Sequence, residues 1–197
     1  AGCRDLAIIS CMRGCGLRRM DVAGFTVEDI RWSAGEYGEL RIKRSKGGKT
    51  RVMPMPRGLR EILGRWMEIR GEQLGPLFVR IHKSDKLIRV TQKYVKANPG
   101  CGVDVGDFQH MDRSSINRMM ERRLIAAGLA KATPHDLRYT FAQKSLRRSD
   151  LQTVCDLFFF NDTATTEIYT ETSQERLREV VGGDAVFDLL ELTDDDQ

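Results

Sequence analysis

Residues 124–142 read LIAAGLAKATPHDLRYTFA and contain a strong helix-start signal. Thr133 suits the cap position, because its hydroxyl accepts from free backbone N–H groups, and Pro134 suits the first turn, where no N–H is needed. Asp136, three residues after the cap, places a carboxylate at the positive end of the helix dipole. The stretch predicts a helix that begins at Pro134 and runs to about Arg147.

Hydrophobic spacing upstream of this stretch predicts further helices around a small sheet. Apolar residues recur every three or four positions before the turn at Gly14–Gly16, and again over 59–67 and 116–127. Residues 38–56, GELRIKRSKGGKTRVMPMP, alternate instead and break at Gly47–Gly48, which is typical of a β-hairpin. The predicted fold class is α+β, mostly helical with a small antiparallel β-sheet.

Length and composition indicate an ordinary globular protein. The 197 residues are 41% hydrophobic and 30% charged, with five prolines, which excludes wholesale disorder, collagen and coiled-coil arrays. No apolar run approaches the roughly 20 residues that a membrane-spanning helix needs, and the amino end lacks a signal-peptide pattern. We expect a cytoplasmic protein without a membrane partner.

Charge is unevenly distributed along the chain. Residues 184–197 hold six acidic side chains and no basic one, and removing these six from the 28 Asp and Glu leaves 22 acids against 32 Lys and Arg. A basic body suits a polyanion such as DNA, because lysine and arginine displace counterions from phosphates. On charge alone, an ordinary solvated surface is an equal alternative.

Cysteine and histidine spacing gives neither a disulfide framework nor a metal site. The five cysteines are an odd number without a C-x-x-C pair, and we expect reduced thiols in the core. The three histidines lie far apart, without a carboxylate or cysteine at ligand spacing. We expect chemistry that uses no metal ion and no other cofactor.

His135 and Arg138 form a candidate anion site on the first turn of the predicted helix. Residues three apart share one face, beside free N–H groups and the positive end of the dipole. The guanidinium fits two phosphate oxygens, and the imidazole donates a hydrogen bond or moves a proton near neutral pH. A helix cap with a surface arginine is favoured by about two to one for this motif alone.

Three further residues are candidates, each with a structural alternative. Arg18, in GCGLRRMD, follows a glycine turn that aims it inward or leaves it as a surface charge beside Arg19. Lys46, in SKGGK, stands at the predicted hairpin tip, where a long cation reaches a groove or only solvent. Tyr169, in TTEIYT, is either functional or a core or interface aromatic.

In the order Arg, Lys, His-x-x-Arg, Tyr, these residues resemble the catalytic domain of the tyrosine recombinase, or phage integrase, family. The resemblance extends over residues 4–30, 40–56, 124–142 and 165–170. It implies an integrase-type catalytic domain over residues 1–197 that binds double-stranded DNA, breaks it and rejoins it in site-specific recombination or integration. It also implies a homo-oligomer assembled on DNA, tetrameric in the family's synapse.

The same resemblance implies a role for each candidate. Arg18 and Arg138 look like the two arginines that clamp the scissile phosphate, and His135 looks like the histidine between them. Lys46 looks like the hairpin lysine, and Tyr169 looks like the nucleophile that forms a 3′-phosphotyrosyl intermediate.

Supporting and DNA-binding positions follow from the resemblance as well. Asp21, three residues after Arg18, resembles the family's supporting acid. Phe160, nine residues before the tyrosine, stands where the family usually has His or Trp, so we expect one phosphate hydrogen bond to be missing. The predicted DNA-binding residues are basic and lie near the glycine turn and along the hairpin: Arg19, Lys43, Arg44, Lys49 and Arg51.

Two alternative functions stay open at this stage. One is a catalytically impaired DNA-binding relic, which keeps the basic cleft but has lost turnover through Phe160 or an altered neighbouring segment. The other is an enzyme like the type IB topoisomerases, whose active site is similar. Residues 161–170, NDTATTEIYT, are also the translation of a widely used sequencing-library adapter, so a native and a substituted origin of this segment both stay open.

The domain prediction has three parts. The family's amino-terminal core-binding domain is expected to be absent before residue 1. Residues 83–112 lack a clear period and are predicted to be a loop or an insertion. Residues 184–197 are predicted to form a C-terminal helix and acidic tail, which packs on a neighbouring protomer or on its own body.

Overall fold

The computed structural model describes residues 2–43, 50–82, 84–99, 104–150 and 153–154. The chain divides into two units, Ala1–Ala142 and Gln143–Gln197. The second unit is described only over its first residues, so the sheet, the core and the site discussed below belong to the first unit.

The described residues form six α-helices and one short 3₁₀ helix. They are α1 (Gly2–Cys15), α2 (Arg19–Ala23), the 3₁₀ helix (Val27–Asp29), α3 (Arg57–Arg70), α4 (Gln92–Ala97), α5 (Arg113–Ala126) and α6 (Pro134–Leu146). The helices predicted from hydrophobic spacing are confirmed. Among the described residues, no helix is long and apolar enough to cross a membrane.

A three-stranded antiparallel sheet follows the 3₁₀ helix. Its strands are β1 (Ile30–Arg31), β2 (Glu39–Ile42) and β3 (Arg51–Pro54), in the order β1-β2-β3. The predicted hairpin is confirmed over β2 and β3, which pair Leu40 with Met53. Its tip, residues 44–49, lies outside the described residues.

Gly38 sets the approach to β2. Its φ of +89° is a conformation that L side chains rarely adopt, and an added Cβ would lie 2.5 Å from Met55 Cε and 3.0 Å from the Arg31 carbonyl oxygen. The Met55 N–H donates to the Gly38 carbonyl at 2.9 Å, which closes the end of the hairpin. Only glycine allows this close approach.

The core lies between α1 and α3 and extends under the sheet. Ile8 and Met12 on α1 are fully buried, as are Leu63 and Trp66 on α3 to within 1%. The Trp66 indole N–H donates to the Leu77 carbonyl at 2.9 Å, so the one polar atom of that side chain is satisfied. Because α1 is central, the turn at its end is held in a fixed position.

The segment predicted as a loop over residues 83–112 contains regular structure. It includes α4, its backbone pairs with the preceding segment through the bridge from Val79 to His110, and it pairs with itself through the bridge from Arg89 to Phe108. Residues 76–80 likewise pair only through single bridges, at Pro76 and Val79. Isolated bridges leave no run of alternating residues, so the sequence carried no periodic signal for them.

The cysteines depart in part from the expected core positions. Cys11 and Cys15 are buried, and burial raises the pKa of the Cys15 thiol to about 12. Cys3 is exposed, so the prediction of a core thiol was wrong there, because it lies on the solvent face of the first turn of α1. Cys101 and Cys155 lie outside the described residues.

Candidate active site

The turn between α1 and α2 carries Arg18. Gly16, with φ of +59°, reverses the chain directly after α1, and Leu17 is fully buried beneath the turn. Arg18 is extended and caps α2, and its side chain is exposed. A buried leucine and a left-handed glycine therefore fix the backbone from which this guanidinium projects.

Asp21 links this turn to the sheet. Its Oδ2 accepts from the Arg18 backbone N–H at 3.3 Å and lies 3.4 Å from Arg51 Nη2 on β3. The Arg51 and Asp21 side chains are 4% and 15% exposed. Asp21 was predicted to be the family's supporting acid. In the structure its carboxylate contacts both the Arg18 backbone and the Arg51 side chain of β3.

The start of α6 carries the His-x-x-Arg motif. The Thr133 N–H and hydroxyl donate to Asp136 Oδ2 at 2.6 and 2.8 Å, and the Asp136 N–H donates to the Thr133 hydroxyl at 3.3 Å. The Thr133 N–H, followed by its hydroxyl, holds the pKa of Asp136 below its usual range. This reciprocal cap, as predicted, fixes the first turn, on which His135 is exposed and Arg138 is 6% exposed.

Arg138 brings the two motifs together. Its Nη1 donates to the Gly16 carbonyl oxygen across 122 residues of sequence. The acceptor lies two residues before Arg18, so the guanidinium from α6 contacts the turn that carries the other predicted clamp arginine. Such an arrangement can hold an anion between two guanidinium groups, since each presents several N–H donors in a planar fork.

The remaining predicted residues fall into two groups. Lys43 Nζ lies 2.9 Å from Asp29 Oδ1, and Arg19 is half-buried on α2. Burial alone would raise the pKa of Asp29, but the Thr26 N–H and then the Lys43 ammonium hold it below its usual range. The others lie outside the described residues: Arg44, Lys46, Lys49, Phe160 and Tyr169.

Arg51, one of the predicted DNA-binding residues, is buried. The burial pattern of β3 alternates, with Arg51 and Met53 inward and Val52 outward. Its guanidinium lies against Asp21 beneath the surface. The alternation Arg51, Met53, Met55 in the sequence was a signal for this inward face, because side chains of a strand point to one side at every second residue.

An arginine-lined cavity was not predicted from the sequence. It measures about 470 Å³, and Arg80, Arg118 and Arg122 line it together with Arg4 and Glu121. Arg4 is already bonded to Asp5 and to the Val79 carbonyl, whereas Arg80 and Arg122 are exposed. The spacing of Arg118 and Arg122, four apart on α5, was the available signal.

The sequence matches the model of the phage integrase family over residues 1–176. It is 27% identical over 179 residues to tyrosine recombinase XerA of Pyrococcus furiosus, covering 90% of this chain and 54% of the relative. It is 29% identical over 178 residues to tyrosine recombinase XerD of Brucella abortus, covering 89% and 50%. The chain thus spans about half the length of the curated relatives it matches.

Solved structures show the same fold. The crystal structure of XerA recombinase superimposes with a TM-score of 0.63 at 25% identity, covering 90% of this chain and 57% of that one. XerH site-specific recombinase bound to palindromic difH substrate, a post-cleavage complex, gives 0.62 at 23% identity, covering 94% and 46%. The predicted mostly helical fold with a small antiparallel sheet is confirmed.

Proposed function

The chain belongs to the phage integrase family, and we propose that it cleaves and rejoins DNA as the catalytic domain of a tyrosine-type site-specific recombinase. One observation carries this proposal. The buried guanidinium of Arg138 contacts the Gly16 turn, so that the His-x-x-Arg helix and the Arg18 turn form one site.

The two arginines and His135 stabilise the charge of the reacting phosphate. Attack on a phosphodiester passes through a five-coordinate phosphorus whose negative charge lies on the equatorial oxygens. Guanidinium forks aimed at those oxygens lower the barrier, because they are held in place before the charge develops. Exposed His135 donates a third hydrogen bond from the same helix turn that holds Arg138.

Tyr169 and Lys46 supply the covalent chemistry in this proposal. The Tyr169 oxygen forms a bond to phosphorus and gives up its proton to water, while the bond from phosphorus to the 5′ oxygen breaks. Lys46 protonates the departing 5′ oxygen, which makes it a better leaving group. A 5′ hydroxyl then attacks the 3′-phosphotyrosyl bond and releases the tyrosine, so the phosphate linkage is conserved.

Asp21 and Arg51 position Arg18. The carboxylate holds the Arg18 N–H on one side and the Arg51 guanidinium on the other, which fixes α2 against β3. Lys43 and Arg19 remain proposed DNA contacts. Arg51, at 4% side-chain exposure, acts in this proposal through Asp21.

The arginine-lined cavity extends the DNA contact. Arg4 and Arg18 lie toward opposite ends of α1, whose 14 residues span about 21 Å. Three further guanidinium groups around Arg4 suit a second phosphate on the same duplex. Because a recombinase must reach its DNA substrate, we place the protein in the cytoplasm. We also propose that it assembles on DNA as a homo-oligomer.

Covalent trapping tests the proposal. The probe is a pool of nicked DNA duplexes with randomised sequence around the nick, because the released fragment diffuses away and leaves the adduct trapped. We expect a denaturant-resistant protein–DNA adduct with the parent chain and none with Tyr169→Phe. Tyr94→Phe, on α4, is the matched control and should form the adduct as the parent does.

Other outcomes identify the alternatives. DNA retention without an adduct would assign the chain to the DNA-binding relic. Relaxation of a supercoiled plasmid that carries no paired recombination sites would favour the topoisomerase-like reaction.

A further inference from the structure

A groove on the first unit lies apart from the predicted catalytic residues. It measures about 660 Å³ and runs between the 3₁₀ helix with β1 and the second half of α3. Ile30, Trp32 and Met67 give it apolar walls, and Leu74, 68% exposed, stands at its edge. Exposed apolar surface of this kind marks interaction sites in soluble proteins.

The charge of the groove is opposite to that of the chain. Its lining includes Glu28, Glu68 and Glu72, and none of the described residues that line it is basic. Neither Glu68 nor Glu72 forms an ion pair with a described residue, and Glu28 carries its charge readily because its own N–H and the Thr26 hydroxyl hold its pKa below the usual range. Glu68 and Glu72 repel both DNA and the acidic segment 184–197, whereas Lys43 and Arg70 lie near enough to Glu28 to offset part of its charge.

Gly64 lines the groove, although nothing in the described chain requires a glycine at this position. It is inside α3, where glycine costs about 1 kcal/mol relative to alanine, and its backbone is helical. A Cβ added there would meet nothing within 4 Å, so no atom of the described chain requires its absence. The open position leaves room for atoms from another molecule.

The groove has the dimensions of a helix-binding site. Gly64, Met67 and Glu68 share one face of α3, three and four residues apart, and Gly71, which caps the end of the helix, extends the groove to about 10 Å. That length accommodates two turns of a second helix. Glu68 and Glu72 stand on the α3 side, while Glu28 stands on the 3₁₀ helix across the groove.

We infer that this groove binds an amphipathic helix of a partner protein, whose apolar stripe is flanked by lysine and arginine. The stripe covers Trp32 and Met67 and packs over Gly64, and the flanking cations face the three glutamates. Helix-in-groove recognition combines apolar anchors with charge pairs that set orientation. This binding is independent of DNA cleavage, so either proposal can fail alone.

The test uses the whole chain and a synthetic helical peptide as the probe. The peptide carries leucine along one stripe and lysine on both flanks, and its binding is measured by fluorescence anisotropy. Gly64→Leu fills the groove, and Glu68→Lys reverses one rim charge. We expect each to raise the dissociation constant at least tenfold, while Gly64→Leu keeps or raises the melting temperature because leucine favours helix.

Matched controls separate the groove from general charge effects. Gly58 is on the same helix and also has open space around its added Cβ, so Gly58→Leu is the control for Gly64→Leu. Glu121→Lys reverses an exposed glutamate on α5. Neither should alter binding. Equal weakening by Glu121→Lys, equal binding of a scrambled peptide of the same composition, or no saturable binding would overturn the inference. So would self-association of the chain that Gly64→Leu abolishes, because a second copy would then be the occupant.

Discussion

At the level of single residues, Arg138 connects the two motifs of the site. Its contact with the Gly16 carbonyl depends on the shape of the guanidinium as well as on its charge. We expect Arg138→Lys to lower the rate of covalent adduct formation about 10²- to 10³-fold, because the fork that faces the phosphate is lost. Arg65→Lys, at an exposed position of α3, should leave the rate unchanged in the same gel assay.

Asp21 and Arg51 form an ion pair whose loss should lower the free energy of unfolding. Removing the carboxylate deletes the ion pair with Asp21 from a guanidinium whose side chain is only 4% exposed. We expect Asp21→Ala to lower the free energy of unfolding by about 2 kcal/mol in urea titrations. Glu61→Ala breaks the exposed pair with Arg57, which lies at 3.1 Å, and should cost less than about 0.5 kcal/mol. Similar losses from the two variants would show that Asp21 does not support the sheet.

Among the elements, α6 depends on its cap. The pKa of Asp136 is held below its usual range by the Thr133 N–H and hydroxyl, so the charged form is stabilised in the folded state. Its contribution is complete above the unfolded pKa, near 3.9, and is lost as pH falls through the lower folded value. We expect Asp136→Asn to melt below the parent at pH 7, with the gap closing on acidification below about pH 4. A gap that is constant with pH would rule out this role of the carboxylate.

The hairpin depends on Gly38. An added Cβ meets Met55 and the Arg31 carbonyl, and the φ of +89° strains any L side chain. We expect Gly38→Ala to lower the free energy of unfolding by roughly 1–3 kcal/mol. Gly58→Ala, with open space on α3, should keep or raise it by up to about 1 kcal/mol. Thermal melting of both variants tests this expectation. A Gly38→Ala variant that melts at the temperature of the parent would contradict the geometry.

These elements show which features local sequence predicts. The α6 cap was predictable because Thr133, Pro134 and Asp136 are neighbours, and helix periodicity located α3 and α5. The contact of Arg138 with Gly16 was not, since 122 residues separate them and no local pattern encodes their meeting. It was expected only through the family resemblance. The Arg51 interior position was encoded in strand alternation but was obscured by the charge of the side chain.

For the molecule as a whole, we expect the DNA contact to extend beyond the catalytic residues to the arginine-lined cavity. The triple variant Arg80→Gln, Arg118→Gln, Arg122→Gln removes three cations of the arginine-lined cavity. If each contacts a phosphate, the slope of log affinity against log salt for a random duplex should fall by about 0.9 per residue. Arg31→Gln, Arg57→Gln and Arg65→Gln, exposed elsewhere, form the matched triple control. Equal salt slopes for the two triple variants would show that the cavity does not contact DNA.

The proposed reaction requires that Arg18, which caps α2, and Arg138, on α6, contact one phosphate that Tyr169 attacks. Peptide mass spectrometry of the trapped adduct checks this requirement, because it identifies the residue that carries the DNA. We expect a nucleotide 3′-phosphate on the peptide that contains Tyr169, with no modification of Tyr37, Tyr94 or Tyr139. DNA joined to any of those three tyrosines, or no adduct on Tyr169, would contradict it.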